Sequence, residues 1–194
     1  IRGGEITYKY LGAGSTAGTS RYELTLKLYV DCRANNPGQL DGDINFTIFD
    51  KTNFSAAPVL LNAPFTNQEF IEYDPGSNPC ILNPPTDVCY RLRYYKATIT
   101  LRDNTQGYTV GFQRCCRIAS IENVSGNSGT TGATYSCEIP GNSKLATAPR
   151  NSSPIINPND AIAICAGTQF TFDFSAVDPD GTDSLVYSLC EAYV

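Results

Sequence analysis

From Arg21 to Asp31 the chain alternates without interruption. Tyr22, Leu24, Leu26, Leu28 and Val30 fall on one face, and Glu23, Thr25, Lys27 and Tyr29 on the other. A period of two places successive side chains on opposite sides of a pleated backbone, so this segment reads as a half-buried β-strand. Ile44, Phe46 and Ile48 repeat the pattern, and residues 5–10, 88–101, 108–117 and 133–139 carry further strand signals. Phe170–Phe174 and Ser184–Leu189 are expected to add two more. Stretches rich in Gly, Asn, Ser and Pro separate them at 12–20, 35–42, 74–87, 123–132 and 140–160. No segment holds a 3.6-residue apolar repeat over three turns. The expected fold class is all-β: an immunoglobulin-like or jelly-roll-type β-sandwich with disulfides, followed by the start of a second cadherin-like β domain.

The proline-rich, polar stretch PRNSSPIINPND marks a boundary. Residues 1–150 are expected to form the N-terminal sandwich. Residues 151–194 are expected to form a linker and the first, incomplete strands of the next domain, and residues 160–194 should pair with strands outside this chain. No repeat of 20–50 residues is visible. The first residue is Ile1 and the chain holds no methionine. That fits a mature N-terminus left by signal-peptide removal, or a cut chain.

Eight cysteines occur without a single histidine. Cysteine at this density calls for an oxidising compartment or a metal. No short Cys-x-x-Cys pair is present, which favours disulfides outside the cytoplasm. Eight cysteines allow roughly a hundred pairings, so the connectivity stays open. Cys80 and Cys89 flank the short loop CILNPPTDVC and are the expected first bridge. Cys115 and Cys116 are adjacent on an expected strand and should point to opposite faces, toward two separate partners. Cys32 and Cys137 are candidates to meet them, leaving Cys165 and Cys190 to close the final segment. Arg114 and Arg117 could depress a neighbouring thiol pKa, but a structural role for the cysteines weighs more.

The absence of histidine excludes Ser-His-Asp and Cys-His nucleophiles. No glycine-rich phosphate loop links a strand to a helix. A net charge of −5 without a basic patch argues against nucleic acid as a partner. No apolar run approaches the ~18 residues that span a bilayer. The chain is therefore expected not to be an enzyme. A pair of carboxylates acting on glycosides, in an accessory or catalytic hydrolase domain, is the alternative with least support. Tyr90, Tyr94, Tyr95 and Tyr108 could line a glycan-binding face, the alternative being cross-strand packing. Asn45, Asn53, Asn123 and Asn151 begin Asn-x-Ser/Thr triplets, which suit exposed loops. Residues 178–184 read DPDGTDS, and Asp178, Asp180 and Asp183 present three carboxylates around a turn. That set suits calcium, which takes several hard oxygen ligands on a flexible loop. The alternative is a turn in which Asp caps backbone N–H groups.

The segments GGEITYKYLG, YELTLKLYVDC, GYTVGFQRCCR, GATYSCEIP and FDFSAVDPDGTDSLVYSLC follow one another in order. Together they resemble the N-terminal region of large surface proteins of gliding and predatory bacteria. Those proteins carry PKD or cadherin-like repeats and a gliding-motility-type C-terminal sorting domain. The RCCR segment is the most specific element, and nearly the whole chain is covered. The resemblance implies type IX secretion, an extracellular position on the cell surface, and a structural or adhesive role in an adhesin, filament or appendage. It implies work in attachment, gliding or prey contact. The partners implied are other domains of the same long chain, further copies in a surface appendage, and surface glycans or a partner cell. It carries calcium ligation onto Asp178, Asp180 and Asp183. The usual DPDGDS reads DPDGTDS here, and the inserted Thr182 shifts the third acid.

Overall fold

The computed structural model describes residues 2–34, 40–72, 89–119, 121, 124–156, 167, 169–181 and 183–189. Nine strands follow one another among them: β1 (Gly3–Ala13), β2 (Thr19–Asp31), β3 (Asp43–Asp50), β4 (Val59–Glu72), β5 (Cys89–Arg102), β6 (Gly107–Arg114), β7 (Ala133–Pro140), β8 (Ile155–Ile156) and β9 (Ala176–Val177). The first seven make one antiparallel sheet in the order β1-β2-β5-β4-β3-β6-β7. The sheet curls until it is nearly closed into a barrel. The chain is thus all-β, but its two halves are continuous rather than separate layers.

β4 joins the halves. Val59–Pro64 pairs with β3, and Phe65–Glu72 pairs with β5, with a register shift between Phe65 and Asn67. Irregularities of this kind let one strand turn a corner between two sheet directions. The sequence reading did not identify β4, because VLLNAPFTNQEFIE does not alternate and carries Pro64 inside it. Ala63 is the one fully buried side chain of the strand.

The alternation in β2 is realised as expected. Tyr22, Leu24, Leu26, Leu28 and Val30 point inward against Ile6, Phe46, Ile48 and Val110. Leu24, Leu26, Phe46 and Val110 are among the side chains most completely removed from water, so this cluster supplies most of the burial that holds the sheet in a curl. Gly4 sits where the open seam narrows. A Cβ there would lie 2.8 Å from Leu28 Cδ2 and 3.0 Å from both the Lys27 carbonyl oxygen and Tyr135 Cε1, so a side chain at this position would have to displace its neighbours.

Several expectations are corrected. The strand expected through Arg117 ends at Arg114. Phe170–Phe174 and Ser184–Leu189 form no strand among the described residues. The three phenylalanines of the first segment pack on one another instead, with centroids 6.1 and 4.5 Å apart along the chain. Among the described residues β8 and β9 pair with each other, outside the main sheet. Asn45 lies on the outer face of β3 rather than in a loop, and Asn151 is buried.

Candidate functional site

The cysteines shape one end of the barrel. The register of β2 on β5 sets Asp31 opposite Tyr90. One step further, Cys32 meets Cys89, and the two are bonded with their Cα atoms 5.5 Å apart. This corrects the expected Cys80–Cys89 bridge and the expected approach of Cys32 to Cys115 or Cys116. Strand register over 57 positions, not loop length, selects the partner. Cys80, Cys165 and Cys190 lie outside the described residues.

Cys115 and Cys116 are bonded to each other. They follow the last residue of β6, so strand alternation no longer sends their side chains to opposite faces. Cys137 is a free thiol on β7, half-buried, opposite Val110. Burial, with the nearby Glu138 charge, pushes its pKa up to about 12. It is not an activated nucleophile.

Around this end the strand termini border an open cavity of about 850 Å³. Arg2 enters from the start of β1, Asp31 and Arg33 from the end of β2, and Arg114 and Arg117 from the end of β6. Asp31 accepts from Arg2 Nη2 at 2.8 Å and from Arg33 Nε at 3.1 Å. The Arg33 hydrogen bonds, joined by that of Arg2, hold the Asp31 carboxyl well below the usual carboxylate range. Arg114 Nη1 donates to Asp41 Oδ1 at 2.8 Å. Arg117 Nε donates to the Gly132 carbonyl at 2.9 Å. Arg2 Nε is buried with no hydrogen-bond partner among the described residues. The Arg2 guanidinium also lies over the Tyr90 ring, 4.9 Å from its centroid. In the sequence Arg114 and Arg117 stand out only as neighbours of the cysteines, and Arg2 and Arg33 carry no local signal. Their common signal is a position just at or beyond a strand end, which becomes meaningful only once the strand order is known.

The four tyrosines considered for a glycan face do not share one. Tyr95 and Tyr108 belong to the core, and their hydroxyls donate to the carbonyls of Asp41 at 3.0 Å and Arg102 at 2.7 Å. Tyr90 and Tyr94 are half-buried on the other side of β5, with Tyr90 packed edge-on against Tyr29.

The acidic turn is wired to its own chain. Asp178 accepts from the backbone N–H of Asp180 at 3.1 Å and of Asp183 at 2.9 Å. Asp180 accepts from the backbone N–H of Ser152, and Asp183 from Asn151 Nδ2 and Thr147 Oγ1. Among the described residues no three acidic, cysteine or histidine side chains converge to hold a metal ion. In this geometry each of the three carboxylates is engaged by donors of the chain itself. They cap backbone and amide donors.

The same contacts dock the turn onto the barrel seam. Ser153 N donates to the Tyr8 carbonyl at 2.8 Å, and Tyr8 N donates to Ser153 Oγ at 2.9 Å. Tyr10 N donates to Ser152 Oγ at 3.2 Å. Residues 151–153, which the sequence placed in a linker, are buried along the free edge of β1.

No protein-family model matches the chain, no curated protein matches it, and no solved structure matches it.

Proposed function

We propose that the chain is a non-catalytic structural and adhesive module of a large secreted cell-surface protein, used in attachment, gliding or prey contact. The observation that carries this reading is the Cys32–Cys89 disulfide, which staples neighbouring strands of the barrel. Such bonds persist in oxidising surroundings, as on a cell exterior, and are rare in the cytosol. They suit a domain that must hold its shape under load.

Two further features support it. The large cavity presents one carboxylate among its described lining residues, Asp31, and two guanidinium groups occupy that carboxylate. Glycoside hydrolysis needs a pair of carboxyl groups flanking the bond. Beyond the barrel, Phe174, Val177, Val186 and Leu189 face solvent around the two-residue β8–β9 pair. Apolar surface of that kind suits the opening strands of a following β domain. The sequence resemblance supports export by the type IX route.

Antibody labelling of intact, unpermeabilised producing cells tests the reading. Surface label, and loss of cell attachment when the antibody is present, are expected. Label seen only after permeabilisation would overturn it.

A further inference from the structure

We propose that the arginine-lined cavity binds a carboxylate-bearing sugar of an acidic polysaccharide. The proposal rests on the adhesive reading above and names the ligand class of that surface.

Charge distribution is the first observation. The chain carries a net charge of −5, yet four guanidinium groups line this one cavity. Asp31 is the only carboxylate among its described lining residues, and Asp41 meets Arg114 from outside the lining. Among the described residues, four positive groups against two negative ones leave an excess of two positive charges at this end of an acidic chain.

Unused donors are the second. Arg117 spends its Nε on the Gly132 carbonyl, and its two terminal nitrogens have no acceptor among the described residues. Arg2 keeps Nη2 on Asp31, which fixes its positive charge at the cavity wall. The planar guanidinium fork offers parallel N–H groups that match both oxygens of a carboxylate.

Size and wall chemistry select the rest of the ligand. About 850 Å³ lies within the usual range for small-ligand sites, on the order of 300–1,000 Å³. One or two sugar rings fit such a space. Val30, Ala34, Ile118 and Ala119 supply apolar wall for the C–H face of a ring. A nucleic acid would need a continuous basic track, which an acidic chain with one cationic hollow lacks. An extended acidic peptide would be read along a sheet edge, whereas this hollow lies beyond the strand ends.

Titration calorimetry on the full chain tests the proposal with three probes: a uronic-acid trisaccharide, a neutral trisaccharide and tri-glutamate. Saturable one-to-one binding of the uronate is expected, with both other probes at least about tenfold weaker. R117Q should lose about tenfold in affinity, the weight of one charge-assisted contact, with an unchanged circular dichroism spectrum and melting temperature. R21Q, on an exposed position of β2 away from the cavity, should bind as the unaltered chain does. Absence of saturable uronate binding overturns the proposal. So does equal binding of the neutral sugar or of tri-glutamate, or an R117Q affinity equal to that of the unaltered chain. Surface labelling with blocked attachment but no uronate binding would remove the ligand assignment alone. Uronate binding by a chain absent from the cell surface would remove the adhesive reading alone.

Discussion

The Tyr8 hydroxyl donates a hydrogen bond to Asn151 Oδ1 across 143 positions of sequence, and both residues are buried. Asn151 Nδ2 in turn donates to Asp183, so one amide links the first strand to the acidic turn near the end of the chain. Burial first, then the Cys137, Tyr22 and aspartate charges around it, raises the Tyr8 pKa far above its ordinary value, keeping the phenol a neutral donor. Y8F leaves a buried acceptor unmet and should cost about 1–3 kcal/mol in urea unfolding. N151A should cost a similar amount. The double variant should be less destabilised than the sum, because both changes break the same contact. Strict additivity would show that the bond carries no coupling.

Arg93 is a buried guanidinium in the barrel interior. It donates to Tyr95 Oη at 3.0 Å, Gln68 Oε1 at 3.1 Å and the Asp41 carbonyl at 2.8 Å, and it lies 4.2 Å from the Phe65 ring centroid. R93M keeps most of the volume but strips those bonds, and should cost about 2–3 kcal/mol. Lys96 on the outer face pairs with Glu23 at 3.5 Å, and K96M should change stability by less than about 1 kcal/mol. Equal losses from the two variants would contradict the structural role given to Arg93.

The Asp31 cluster makes a prediction in pH. A carboxyl whose pKa falls on folding adds stability that is fully present above its unfolded value, about 3.9, and is lost as pH drops through the folded value. Asp31 is such a group, held low by Arg33 and Arg2. D31N should therefore be less stable than the unaltered chain at pH 7, by about 1–2 kcal/mol given its partial exposure. The gap should narrow as pH falls below about 4. A gap that stays constant down to pH 2 would show that the charge is not what stabilises the site.

Cys137 should resist alkylation. With a pKa of about 12 and partial burial, its thiol stays protonated at pH 8. Iodoacetamide should add slowly to the folded chain and quickly in urea, with no reductant present. Labelling that is equally fast in both would place the thiol in open solvent.

What the sequence could show was local. β2 was legible because its alternation is complete, and β3, β5 and β7 share enough of it. β4 was not, because a strand that pairs with β3 over one half and β5 over the other has no single buried face to announce it. The Cys32–Cys89 bond follows from the register of Asp31 on Tyr90, a pairing between distant strands that no local pattern encodes. The arginine cavity was hidden for the same reason. Arg2, Arg33, Arg114 and Arg117 are scattered in sequence and meet only because three strand ends share one end of the barrel.

Non-reducing peptide mapping of protein recovered by shaving intact cells with protease tests the central claim most directly, since it reads location and bracing together. The expected result is a Cys32–Cys89 cross-linked peptide in the surface-shaved fraction. Recovery of the chain only from the cytosol, with Cys32 and Cys89 both alkylated as free thiols, would contradict it.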